Sequence, residues 1–340
     1  MVSNGQEKLT VIEHFVPNND GWLLHLKQVF APDRLRKDLR PFVVIPGYGM
    51  NSFVFGYHPD GEAMDRVFAE AGYEFWTADL RWQGDARPKK KRPAQPTLRD
   101  LAGTDLPAAI DHIIASTRTD HRTITLAGCS LGGTIAYTYL ALTDDKLVSA
   151  VVGMCSPLRW VAVPTVLRLA MASPRLLRHL PVRGSATLAR YALPLAGRIP
   201  FALDMYANPA NISLSDAAEF SKSVSNPSPS LNAEIAQWIK DGDLRIRDVN
   251  ITEAMREQTI PLLVVSANRD GIVPPATARF VRTIWGGEDI EELIVGDEKN
   301  WYSHADVFIG KNSRKDFFDP LIGWLQTRET APKDEASASV

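Results

Sequence analysis

The sequence predicts an α/β fold: a mainly parallel, eight-stranded sheet with helices on both faces, interrupted once by an inserted helical cap. Three observations predict it. Short apolar runs such as Phe42-Val43-Val44-Ile45 show no polar alternation, which suits strands buried on both faces of a parallel sheet. These runs alternate with helical stretches, and each parallel crossover needs a covering helix. About 100 residues separate the strand ending near Cys155 from the one starting near Pro261, against a usual connection of roughly 2 to 6 residues, so that segment carries structure of its own.

In chain order, residues 8–16 and 22–30 read as β-runs joined by the turn signal Pro17-Asn18-Asn19-Asp20-Gly21, an antiparallel hairpin. The run at 42–45 is ended by Pro46-Gly47. A helix near 62–71 leads to a strand at 74–78, and a helix over 97–116 leads to a strand at 123–127. A helix over 131–141, a strand at 148–154, a strand at 261–267, a helix over 276–285, a strand at 290–295 and a last helix near 317–326 complete the alternation. Residues 1–156 and 259–328 thus form the core, 157–258 the cap, and 329–340, small and polar, a disordered tail. The first half of the cap carries Arg159, Arg168, Arg175, Arg178, Arg183, Arg190 and Arg198 among Leu, Val, Ala and Pro, with no acidic residue. Its second half is polar as far as a helix over 233–240.

Composition narrows the function classes. A hydrophobic share of 45% and a charged share of 23% are those of a globular chain with a sizeable core. The net charge of -2 gives no overall pull towards nucleic acid, and no apolar run of about 18 residues offers a membrane span. Two cysteines, Cys129 and Cys155, supply neither a disulfide framework nor metal-ligand spacing, and the first residues lack the basic and apolar regions of a secretory signal. The expectation is a cytoplasmic protein; nothing in the sequence speaks to its oligomeric state. The basic run Arg87-Pro88-Lys89-Lys90-Lys91-Arg92-Pro93, between a strand and a helix, reads as a solvated loop. Arginines with long apolar neighbours, as in the cap, ordinarily form a helix surface whose stems snorkel, and peripheral contact with an anionic lipid surface is the second reading.

The strongest chemical signal is Ile124-Thr125-Leu126-Ala127-Gly128-Cys129-Ser130-Leu131-Gly132-Gly133, a buried strand running through G-x-S-x-G into a helix. The turn is too tight for a Cβ at the glycines, and its strain lifts the Ser130 hydroxyl clear of the sheet. The helix N-terminus adds partial positive charge, and the Leu131 N–H can receive a developing oxyanion. On these residues the sequence resembles the α/β-hydrolase family, in particular lipase- and esterase-like members with a cap after the sixth strand. The cap itself matches nothing in that pattern.

The resemblance implies an acid at the end of the seventh strand and a histidine in the loop after the eighth. Asp270, in Asn268-Arg269-Asp270-Gly271-Ile272-Val273-Pro274, matches the first; His304, in Tyr302-Ser303-His304-Ala305-Asp306, matches the second, with Ser303 in a position often held by glycine. The chain order Ser, Asp, His is that of the family. Asp306 is the competing carboxylate, read as a turn or helix cap because a group beside the histidine on the same short segment is badly placed to reach its far side. The second oxyanion donor falls on the Tyr48 N–H, in the loop Pro46-Gly47-Tyr48-Gly49, where Pro46 replaces the His of many relatives.

The expected chemistry is cleavage of a carboxylic ester with an apolar acyl group through an acyl-enzyme. An acyltransferase or thioesterase with the same triad is the alternative, and a non-catalytic receptor on this fold the more distant one. No metal or organic cofactor is implied, because there is no ligand cluster and no dinucleotide or phosphate fingerprint. The aromatics Phe53, Phe55, Trp82, Trp160 and Trp301, near the strand-end face, are the expected substrate contacts.

Overall fold

The computed structural model describes residues 8–91, 93–144, 146–179, 183–196, 199, 201, 203–213 and 216–329. Arg92 of the basic run, Arg198 of the cap and the expected disordered tail from residue 330 lie outside the described residues.

Eight principal strands make one sheet. They are β1 (Thr10–Pro17), β2 (Trp22–Phe30), β3 (Phe42–Ile45), β4 (Phe75–Asp79), β5 (Ile124–Cys129), β6 (Val148–Met154), β7 (Leu262–Ala267) and β8 (Ile290–Val295). Their spatial order is β1-β2-β4-β3-β5-β6-β7-β8. The hairpin partners β1 and β2 are antiparallel, β2 runs antiparallel to β4, and every pairing from β4 to β8 is parallel. Burial follows position. β3, β5 and β7 are buried at every residue, as unalternating runs require, whereas the edge strand β1 alternates.

Neighbouring residues of each central strand feed opposite faces. Val43, Leu126, Val151 and Val264 pack under α2 (Leu106–Ser116) and α3 (Leu131–Leu142), while Val44, Ala127, Val152 and Val265 pack under α1 (Met64–Glu70) and the last helix, Asp319–Glu329. Three departures from the sequence expectation have physical causes. The helix expected over 97–116 opens with a capping box, Thr97 with Asp100, and then widens into a π turn at Leu101–Asp105, where the buried Asp105 carboxylate meets Arg81 and Asn18. The helix expected over 276–285 tightens after Arg279 into a 3₁₀ turn, Phe280–Thr283. Arg87 and Pro88 extend the sheet as a short ninth strand on Leu23 and Trp22, so the basic run begins on the sheet edge, with Lys89 to Lys91 exposed.

The insertion after β6 is largely helical: α4 (Thr165–Ala170), α5 (Pro174–Leu177), α6 (Ser185–Ala196) and α7 (Pro229–Asp241), with a short hairpin, Arg245–Ile246 on Val249–Asn250. Its packing is uneven. Leu231, Ile235, Trp238, Leu244, Ile251 and Met255 share the buried cluster of α2 and α3, and Leu203, Ala207 and Ile212 are buried as well. None of the residues described between 161 and 201 is buried, those of α4 and α5 included.

A Cβ built on Gly128 would lie 2.2 Å from the backbone nitrogen of Gly133, where nothing can rotate away. Gly128→Ala should therefore cost at least about 2 kcal/mol through overpacking, read as a lowered urea midpoint at unchanged m.

Candidate active site

The turn from β5 into α3 holds Ser130 at φ 53, ψ -121, a conformation that L side chains rarely adopt. The backbone locks it there. Ser130 N–H donates to the Met154 carbonyl at 2.8 Å, and its own carbonyl accepts from Gly133 N–H at 3.1 Å. Glycine is required in the turn that follows: a Cβ on Gly132 would lie 2.3 Å from the Ile45 carbonyl oxygen, and one on Gly133 2.1 Å from Ser156 Oγ.

His304 faces the same cavity as Ser130. Its Nδ1–H donates to Asp270 Oδ2 at 2.7 Å, with both side chains buried. The other Asp270 oxygen accepts from the amides of Ile272 and Val273, both at 2.8 Å, so the carboxylate is fixed from two directions by the loop leaving β7. This leaves Nε2 as the uncommitted nitrogen of the ring. The competing carboxylate is engaged elsewhere: Asp306 accepts from Ser303 N–H at 2.7 Å and from Asn208 N–H and Asn211 Nδ2, each at 3.2 Å. It thus holds the turn through the Ser303 N–H, whereas the helix that Asp306 opens has no side-chain cap. The other histidines form separate contacts, His25 with Asp79 and His14 with His112.

The loop after β3 approaches Ser130 closely because position 47 is glycine; a Cβ there would lie 2.9 Å from both the Cys129 carbonyl oxygen and Ser130 Cβ. The backbone N–H groups of Tyr48 and Leu131 have no acceptor among the described residues, and Tyr48 lines the cavity beside Ser130. The loop is held from the insertion. Asn51 N–H donates to the Ser223 carbonyl and Ser225 N–H to the Gly49 carbonyl, both at 2.9 Å, while the Tyr48 hydroxyl donates to Asn232 Oδ1. Burial pushes the Tyr48 phenol up to about 12.

The cavity measures about 450 Å³ and is mainly apolar, walled by Val54, Ala189, Leu193, Tyr206, Phe220, Ile272 and Phe308. None of the five aromatics expected near the strand-end face lines it. Phe53 and Trp82 line a separate cavity of about 870 Å³ with His25 and Asp79; Trp160 packs edge-on against Trp238 at 5.7 Å; Trp301 lies beside the Arg269 guanidinium at 5.8 Å. Proximity along the chain to strand ends misled here, because loops leave the sheet in different directions. Phe55 is buried behind the wall, against Phe308. The residues overlooked had one readable signal, the i, i+4, i+8 stripe Ser185, Ala189 and Leu193 on α6.

Cys155, at φ 50, also went unassigned. Its sulfur lies with the donor atoms of Asp270 and His304 in a group spanning at most 4.8 Å. A thiol, a carboxylate and an imidazole are donors of the kind that bind a metal ion. Burial and the Asp270 charge hold its thiol well above the usual range, while Asp270 and His304 are hydrogen-bonded to each other.

A family model described as alpha/beta hydrolase fold matches residues 40–295. A protein of Schizosaccharomyces pombe named a probable lipase is 29% identical over 150 residues, 41% of this chain and 32% of that protein, so the chain spans about a third of that relative's length. Among solved structures, an esterase from Rhodococcus sp. ECU1013 has a TM-score of 0.60 at 17% identity, covering 93% of this chain and 98% of that one. A bromoperoxidase from Bacillus anthracis has a TM-score of 0.64 at 14% identity, with 93% and 100% covered. At such identities the likeness is one of fold.

Asp306 yields a stability prediction. Burial pushes its carboxyl up to about 6 against the pull of its N–H donors. With the folded value above an unfolded value of about 3.9, the contribution to stability is fully present below about pH 4 and is lost as pH rises through about 6. Asp306→Asn should cost about 1–3 kcal/mol, since its NH₂ must oppose another N–H, and that cost should shrink between about pH 4 and pH 6 in urea unfolding.

Proposed function

The chain belongs to the α/β-hydrolase family, and from that premise we propose that it is a serine hydrolase that cleaves carboxylic esters through an acyl-enzyme. One observation carries the reading: a strained Ser130 opens into the same cavity as a histidine whose Nδ1 is committed, at 2.7 Å, to a carboxylate. Ser130 Oγ attacks the ester carbonyl while His304 Nε2 takes its proton. Asp270 fixes the tautomer that makes this possible and stabilises the imidazolium that results. The negative oxygen of the tetrahedral intermediate is received by the Tyr48 and Leu131 amides, which have no acceptor among the described residues. His304 then protonates the departing alkoxide, and the same base later activates water to release the acid.

The apolar wall supports an acyl group or a similarly hydrophobic substituent as the part bound. Water as acceptor is the simplest course, and product analysis with added alcohols or thiols separates hydrolysis from acyl transfer.

A fluorophosphonate should label Ser130 stoichiometrically, located by peptide mapping, and Ser130→Ala should abolish both labelling and turnover of p-nitrophenyl esters; labelling at another serine overturns the assignment. Asp270→Asn should lower kcat by about 10⁴ at neutral pH through the wrong histidine tautomer. Ala189→Phe, which fills the cavity from α6, should shift the preferred ester towards shorter acyl chains across a C2 to C12 series, and an unchanged profile would remove α6 from the binding wall.

A further inference from the structure

Nine of the twelve large apolar side chains that the described residues expose lie between positions 161 and 201, among them Leu169 at 73%, Leu188 at 70%, Tyr191 at 69% and Phe201 at 83%. Single exposed leucines are ordinary on a protein surface; so many in one short stretch are not. The same stretch has no acidic residue from Leu158 to Leu203. Arg168, Arg175, Arg178, Arg183 and Arg190 are exposed there, and none joins an ion pair among the described residues. Helix α6 is two-sided: Ser185, Ala189 and Leu193 line the Ser130 cavity, while Leu188, Tyr191 and Leu195 face outward.

We propose that the surface borne by the residues described between 161 and 201 docks on an anionic phospholipid bilayer. Its outward leucines enter the boundary between headgroups and acyl chains, and its arginines hold headgroup phosphates. Charge complementarity selects this occupant. A second copy of the chain would set one unpaired arginine cluster against another, whereas an anionic leaflet neutralises it and takes up the apolar side chains together. The helices here are short, and no described helix is long and apolar enough to cross a membrane, so the surface lies on the bilayer. Docking is independent of the ester-cleavage reading. Only its consequence, that substrate reaches Ser130 past α6 from the lipid phase, rests on that reading.

The full chain should be tested by co-sedimentation with vesicles of phosphatidylcholine, with and without phosphatidylglycerol, across a salt series. The expected result is binding to the anionic vesicles only, falling as salt rises. Leu188→Asp with Leu195→Asp, and separately Arg175→Gln with Arg178→Gln and Arg190→Gln, should each weaken it by about tenfold or more. Lys89→Gln with Lys90→Gln and Lys91→Gln should leave it unchanged. Circular dichroism checks the fold of each variant, and turnover of a soluble short ester, measured in parallel, separates failure of docking from failure of the ester reading. Absent binding, equal binding to neutral vesicles, binding that survives both cap variants, or a dimer by light scattering that Leu188→Asp with Leu195→Asp dissolves would each overturn the proposal.

Discussion

Holding a serine at φ 53 costs about 1–3 kcal/mol, and this chain keeps Ser130 there because the surroundings leave it nowhere else to go. Its N–H is bound to β6, its carbonyl to the first turn of α3, and the glycines at 128, 132 and 133 are packed so closely that a methyl group at any of them would strike backbone or a buried side chain. The requirement spreads outward. Gly47 must be glycine for the neighbouring loop to lie against the elbow, and Ser156 must be small and polar to sit over Gly133 while donating to the Gly128 carbonyl at 3.0 Å. Much of the centre of the sheet is thus shaped by one strained turn.

The insertion does more than cover that turn. One part of it, near Ser223 and Ser225, is hydrogen-bonded to the loop carrying Tyr48, and another, from Met205 to Asn211, is bonded to the loop carrying His304. The same segment also lies against the loop carrying Asp270, since a Cβ on Gly271 would lie 2.5 Å from Met205 Cα. Both loops that flank Ser130 therefore depend on the segment after β6 for their shape. The remaining stretch, 161–201, makes few buried contacts, so its outward face is free to serve binding while the inner face of α6 walls the cavity.

Most of the buried charged groups among the described residues are held by several partners at once. Arg81 meets Asp105 through several hydrogen bonds beneath the π turn, and Asp306 collects N–H donors from three separate positions. Removing one member of such a group would leave the others buried and unsatisfied, which is why these residues fix loop geometry more firmly than apolar packing alone.

The sequence by itself determined the sheet and the strained turn that carries Ser130. Runs such as 42–45 and 148–154 are apolar without alternation, which leaves a strand buried on both faces as the natural reading, and G-x-S-x-G between a strand and a helix is a local pattern whose glycines and strain need no distant partner. Asp270 and His304 were legible through chain order and family resemblance, not through any local property that sets them apart from other aspartates and histidines. Only the tertiary structure decided that the Cys155 sulfur lies within 4.8 Å of the donor atoms of Asp270 and His304, and that Ala189, Leu193 and Phe308 wall the cavity while Phe53, Phe55, Trp82, Trp160 and Trp301 do not. The reason is physical: strand and elbow are set by periodicity and sterics within about ten residues, whereas a cavity is made where segments more than a hundred residues apart meet, and the direction in which each loop leaves the sheet is set by contacts that no local pattern encodes.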